Sequence, residues 1–209
     1  MGVILSNNAI RVGLLGGSFN PAHEGHLHIS LEALRRLGLH QVWWLVTPQN
    51  PLKPPETLAP LEQRVESARR IAHGHTRIIV TDMERALGTI YTCDTLEILQ
   101  QRCPRTRFVW LMGADNLIQF HRWHRWQEIF RRIPVAIFDR SPFTYEALVS
   151  EAVMRFGQFR VNQRRGLNLP LMDAPAWSYM HIIPNLASST LLREETDWLK
   201  PEKPHRKKK

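Results

Sequence analysis

Arg11-Val12-Gly13-Leu14-Leu15-Gly16-Gly17-Ser18-Phe19-Asn20-Pro21-Ala22-His23-Glu24-Gly25-His26 is the stretch that decides the fold. An apolar strand runs into paired glycines, then a short turn, then a helix that opens near Glu24. Without a Cβ, Gly16 and Gly17 let backbone N–H groups approach a phosphate closely. The helix N-terminus adds unsatisfied N–H donors and the positive end of its dipole. His23 and His26, three residues apart, can project to one side of that end. Together these features form a site for a polyphosphate. Gly16-Gly17 is no dinucleotide fingerprint, because no third glycine stands at the right offset, and no Gly-Lys-Ser/Thr follows as in a P-loop. His23-Glu24-Gly25-His26 lacks the i, i+4 histidines of a zincin, and Cys93 and Cys103 have no paired spacing, so no metal ligands are assigned. His28, two residues beyond His26, should point elsewhere.

Outward from this stretch, short apolar runs alternate with helical patterns. Strands are expected at Ile10–Leu15, Val42–Thr47, Arg77–Thr81, Phe108–Met112, Val135–Phe138 and Met180–Ile183. They are continuous apolar segments, as strands covered on both faces are. Between them, Leu27, Leu31 and Leu34 repeat with helical spacing, as do Leu61, Val65, Ala68 and Ala72, the latter interleaved with Glu62, Arg64, Glu66, Arg69 and Arg70. Thr95–Gln101 and Leu117–Phe120 are shorter helical cases, a further helix starts near Tyr145, and Gly157–Ala176 reads as irregular. The alternation argues an α/β fold, a Rossmann-like doubly wound parallel sheet in a single domain with a small C-terminal helical part. Residues 10–198 form that domain, 1–9 an N-terminal extension and 199–209 a disordered basic tail. Pro48–Pro60 holds five of the fourteen prolines and follows the second strand. Open α/β sheets bind ligands on that side, so it reads either as an active-site loop or as a surface connector.

The chain has 209 residues, enough for one well-cored domain. Its net charge is +9, but 200–209 carries six cations and one acid, so five of those charges are local to the tail. The body is only mildly basic. Two cysteines make no disulfide framework and suit a reducing compartment, and the apolar runs are far too short for a membrane span. A soluble, cytoplasmic protein is expected.

The histidine stretch resembles the HxGH signature of the nucleotidyltransferase superfamily. Its second signature, a hydroxyl-rich helix start followed by a basic residue, is matched by Ser188-Ser189-Thr190-Leu191-Leu192-Arg193, where hydroxyls cap and an arginine offers a fork of donors. Three further stretches are similar to bacterial nicotinate-mononucleotide adenylyltransferase: Tyr91-Thr92-Cys93-Asp94-Thr95-Leu96, Gly113-Ala114-Asp115-Asn116-Leu117 and Phe120-His121-Arg122-Trp123. The matches run from Arg11 to Arg193.

The resemblance implies transfer of AMP from ATP to nicotinate mononucleotide, with Mg²⁺ accompanying the phosphates. His23, His26 and Arg193 would be catalytic. Gly16, Gly17, Ser18, Phe19, His23, His26, Gly113, Asp115, Ser188, Thr190 and Arg193 would bind ATP. Asn50, Lys53, Thr92, Cys93 and Trp123 would bind the mononucleotide. Trp123 and Trp126 also read as core packing; the resemblance favours stacking on the pyridine ring for Trp123 alone. Lys53 reads equally as a solvated lysine. The proline loop departs from the Pro-Pro-His-Lys form of the family, and Trp198 and the tail replace its terminal helix. A phosphopantetheine adenylyltransferase, a relative preferring nicotinamide mononucleotide, and a basic RNA-binding protein are the rival readings. No membrane association is expected.

Overall fold

The computed structural model describes residues 9–52, 54–139, 144–183 and Trp198. Six strands, β1 (Ile10–Gly17), β2 (Gln41–Val46), β3 (Ile78–Thr81), β4 (Thr106–Gly113), β5 (Val135–Asp139) and β6 (Trp177–His181), pair in parallel in the order β3-β2-β1-β4-β5-β6. All six expected strands are present. The last begins earlier than Met180 because Trp177 and Tyr179 alternate with Ser178 and Met180 across the two faces, and all four are buried.

Among the described residues eight α-helices join and cover the strands: α1 (Glu24–Arg36), α2 (Leu61–Ala72), α3 (Met83–Leu87), α4 (Thr92–Arg102), α5 (Ala114–Ile118), α6 (Trp126–Arg132), α7 (Thr144–Leu148) and α8 (Glu151–Phe156). The strands read as continuous apolar runs because both faces are buried. Phe108, Trp110 and Met112 of β4 pack with α4, α5, α6 and α8 through Leu96, Leu117, Ile129 and Phe156. Val109 and Leu111 turn to the other face, where Ile29, Ala33 and Leu34 of α1 and Val65 and Ala68 of α2 cover them. Each fully buried side chain of this size contributes roughly 2 kcal/mol. The stretch expected to be irregular before β6 contains two 3₁₀ segments, Gly157–Phe159 and Gln163–Leu171, and Leu169 of the second is buried in the α1–α2 layer. The proline loop holds one 3₁₀ turn, Pro55–Thr57.

The strand order runs one way from β1 through β2 to β3 and the other way through β4 to β6. Between β1 and β4 the order reverses, and crevices for ligands open at such a point, beyond the carboxyl ends of the strands. Gly16 and Gly17 end β1 there, and Gly113 ends β4. Residues 1–8 of the extension expected at 1–9, and the basic tail expected at 199–209, lie outside the described residues.

Candidate active site

A cavity of about 550 Å³ opens at this point. One wall is the exit of β1. A Cβ on Gly16 would collide with the Trp110 ring, whereas one on Gly17 would meet only Phe19, at an ordinary 3.5 Å. The two glycines therefore do different things: Gly16 makes room for the core, and Gly17 leaves backbone open to the cavity. Phe19 follows at φ 46°, in the left-handed region that non-glycine residues rarely adopt. Its buried ring stacks on Trp44 at 5.1 Å and lies 4.6 Å from the His26 ring.

His23 is the N-cap of α1. Its Nδ1 accepts from Gly25 N–H at 3.1 Å, and His26 Nδ1 accepts from His23 N–H at 3.2 Å. This is the reciprocal arrangement of a capping box, built from imidazoles in place of a hydroxyl and a carboxylate. Because each Nδ1 accepts, each neutral ring carries its proton on Nε2, which makes Nε2–H a donor. The rings lie 3.9 Å apart and both line the cavity. His28 turns away, as its spacing predicts, and donates from Nε2 to Ile183 O at 2.9 Å.

Asn20, buried beneath the turn, ties three segments together. Its Nδ2 donates to Thr57 O at 2.7 Å, and its Oδ1 accepts from Ala59 N–H at 3.0 Å and from Trp198 Nε1 at 2.7 Å. Asn50 lies in the same cavity wall, its Oδ1 accepting from Leu52 N–H and its Nδ2 reaching Ser18 Oγ at 3.5 Å. Behind this wall stands Arg64. Its charged neighbours in the helical pattern suggest a solvated face, but it is 1% exposed. Its partners are main-chain carbonyls, which leave no trace in the sequence.

The opposite wall is the start of α4. Thr92 lines the cavity beside Tyr91, whose ring lies 4.3 Å from that of His124. The first N–H groups of a helix have no partner within it, so this end offers donors. Cys93 departs from its expected role, because it points into the core and is fully buried against the α4–α6 layer. One residue of helix rotation separates it from Thr92, so only its backbone remains near the site. Trp123 is half-buried, with its ring 4.9 Å from Phe120 and edge-on to Trp110 at 6.1 Å, and it lines the cavity. Trp126 belongs to the core. Gly113 and Asp115, at the start of α5, close the β4 side.

Glu84 of α3 was not foreseen. It is 5% exposed, lines the cavity, and accepts through Oε1 from Thr95 Oγ1 at 3.1 Å, while Thr89 lies 2.8 Å behind Thr95. Its Oε2 is buried without a hydrogen-bond partner. Burial pushes this carboxyl above the usual range, against the opposing pull of the Thr47 and Thr95 hydroxyls. The Asp82-Met83-Glu84 stretch offered no spacing by which this role could have been found.

The structure thus brings Gly16, Gly17, Ser18, Phe19, His23, His26, Asn50, Thr92, Gly113, Asp115 and Trp123 around one cavity. Lys53, Ser188, Thr190 and Arg193 lie outside the described residues. Among the described residues no three His, Cys, Asp or Glu side chains converge as metal ligands, and no helix is long and apolar enough to cross a membrane.

Known proteins share both the sequence and the fold. A profile of the cytidylyltransferase-like family matches residues 14–195. A protein of Parvibaculum lavamentivorans named "Probable nicotinate-nucleotide adenylyltransferase" is 48% identical over 189 residues, spanning 90% of this chain and 94% of its own. One of the same name from Methylorubrum extorquens is 50% identical over 184 residues, 88% of this chain and 99% of its own. Among solved structures, the nicotinic acid mononucleotide adenylyltransferase of Plasmodium falciparum complexed with NaAD superposes with a TM-score of 0.67 at 17% identity, covering 88% of this chain and 83% of that one.

Proposed function

The chain belongs to the cytidylyltransferase-like family, and from that premise we propose that it is a nicotinate-nucleotide adenylyltransferase. In this reading it transfers AMP from ATP to nicotinate mononucleotide, giving nicotinate adenine dinucleotide and pyrophosphate. Half-identity to relatives of that name over nearly their whole length supports the assignment. One observation carries it on physical grounds: a donor-rich turn at Gly17–His26 and the aromatic ring of Trp123 line one cavity.

The chemistry is a direct displacement. A phosphate oxygen of the mononucleotide forms a bond to the α-phosphorus of ATP, and the bond from that phosphorus to the bridging oxygen breaks as pyrophosphate leaves. No nucleophile beside a base is needed, and catalysis is positioning plus charge stabilisation. The Nε2–H groups of His23 and His26 hold the phosphate chain, with backbone N–H groups of Ser18 and Phe19 beside them. Gly113 and Asp115 take the adenosine side, Asp115 accepting from a ribose hydroxyl. Thr92 and the α4 N-terminus receive the pyridine carboxylate, and Trp123 stacks on the ring. Asn50 lines the cavity on the mononucleotide side, and Lys53 is assigned to the same substrate by its sequence resemblance alone. Ser188, Thr190 and Arg193 bind the leaving pyrophosphate, a role that rests on their sequence motif. Mg²⁺ suits phosphate oxygens and water as ligands, and the imidazole and N–H donors of the wall complement the phosphates, not the ion. With two soluble nucleotides as substrates, the compartment is the cytoplasm.

Pyrophosphate release with ATP and Mg²⁺ tests the assignment, with nicotinate mononucleotide, nicotinamide mononucleotide and phosphopantetheine offered in turn. Nicotinate mononucleotide should be turned over fastest. A carboxylate accepts from N–H donors, whereas a carboxamide also needs an acceptor. Equal or faster release with nicotinamide mononucleotide would overturn the choice of substrate, and release with phosphopantetheine alone would overturn the family branch.

A further inference from the structure

All four hydrogen bonds of the Arg64 side chain go to main-chain carbonyls. Nε donates to Ala59 O at 2.8 Å, Nη1 to Ser18 O at 2.8 Å and to Thr47 O at 2.7 Å, and Nη2 to Pro48 O at 2.9 Å. Two loops beside the cavity, the turn after β1 and the proline loop at both of its ends, are thereby fastened to one cation. Glu62, the acid that favours its charge, is exposed and bonded to Arg85 at 2.7 Å. Burial pulls the guanidinium pKa down to about 10, so it stays charged at neutral pH. A buried cation without a carboxylate partner is costly to fold around, and carbonyl dipoles here take the place of water.

The orientation of the Ser18–Phe19 peptide follows from these bonds. In a planar trans peptide the N–H points opposite to the C=O. Ser18 O points at Arg64, so the Phe19 N–H points away from it. Ser18 and Phe19 line the cavity, and Arg64 stands behind them. A charged donor on the carbonyl polarises the peptide and strengthens its N–H as a donor. The same bond fastens the residue that precedes Phe19 and its left-handed backbone.

We propose that Arg64 is a positioning residue of the phosphate site. From behind the wall it aims and polarises the Ser18–Phe19 peptide toward a phosphate oxygen, and its fixed charge complements the anionic nucleotide. The inference rests on the adenylyltransferase reading. A role in bracing the loops alone would change stability and leave the kinetic constants of the folded enzyme intact.

Arg64→Met removes charge and donors at similar length, and Arg64→Lys keeps the charge without the fork. With folding verified by near-ultraviolet circular dichroism, kcat should fall on the order of 100-fold in Arg64→Met and about 10-fold in Arg64→Lys, with the KM for nicotinate mononucleotide within about threefold of wild type. Calorimetric binding of inorganic pyrophosphate should weaken in the same order. A folded variant with wild-type kcat, wild-type KM for ATP and undiminished pyrophosphate binding overturns the proposal; should Arg64→Met not fold, Arg64→Lys decides it. If the wild-type enzyme itself releases no pyrophosphate from ATP and nicotinate mononucleotide, the substrate assignment fails, and pyrophosphate binding still judges Arg64.

Discussion

The indole N–H of Trp198 donates to Asn20 Oδ1 at 2.7 Å, joining residues 178 positions apart in the chain. Asn20 Oδ1 has two lone pairs, and the second accepts from Ala59 N–H. Trp198→Phe keeps an aromatic ring, though a smaller one, and removes one donor, so it should destabilise the protein by about 1 kcal/mol or more. Asn20→Ala also strands the Ala59 N–H and should cost about 1–3 kcal/mol. Urea unfolding of the single variants and the double variant checks this. Strict additivity would show that the two residues are not coupled.

His23 serves two ends, as cap and as cavity donor, and one substitution separates them. Asparagine is among the best N-cap residues, so His23→Asn should keep α1 stable to within about 0.5 kcal/mol. It replaces the imidazole Nε2–H with a shorter side chain, so kcat should still fall roughly 100-fold or more. His23→Ala should lose both, adding about 1 kcal/mol of destabilisation. Thermal denaturation and turnover measured on the same samples distinguish these outcomes; a fully active His23→Asn enzyme would reduce His23 to a cap.

What could be read from the chain and what could not divides by the kind of partner each residue has. The strands were legible because burial on both faces makes β4 or β5 a continuous apolar run. The turn at Gly16–His26 was legible because strand, glycines and paired histidines are local. Arg64, Asn20 and Glu84 were not. Arg64 and Asn20 are partnered largely by main-chain carbonyls and an N–H, which any residue supplies, and Glu84 meets threonines scattered through the sequence. Cys93 shows the limit of a linear match: it sits beside Thr92 in the string, yet 100° of helix rotation sends its thiol into the core.

The paired glycines should respond differently to alanine. Gly16→Ala drives a methyl into Trp110, between β1 and β4, and should destabilise by about 1–3 kcal/mol through overpacking. Gly17→Ala meets only ordinary contact with Phe19 and should fold normally. Its methyl instead stands where backbone faces the cavity, so the KM for ATP should rise on the order of 10-fold. Melting temperature for the first variant and steady-state kinetics for the second are the measurements. A Gly16→Ala protein as stable as wild type would contradict the packing given for β1.

Glu84 makes stability depend on pH in a direction that burial fixes. Because burial raises its carboxyl, the folded protein holds that proton more tightly than the unfolded chain does. Its unfavourable contribution is absent at low pH, where both states are protonated. It grows as pH rises from the ordinary carboxylate range through the raised value, since the folded state must then ionise a buried group or keep a proton the unfolded chain has released. Glu84→Gln retains an acceptor for Thr95 Oγ1 without a titrating charge. Its amide N–H groups take the place of the partnerless Oε2 and add a destabilising offset that does not change with pH. The melting temperature of the variant minus that of wild type should therefore be flat at the acid end and climb in the variant's favour over the window that opens at the ordinary carboxylate range and extends upward. A difference that stays constant, or falls, across that window would mean that the cavity wall solvates this carboxylate, against its burial between Thr95 and the α3–β2 contact.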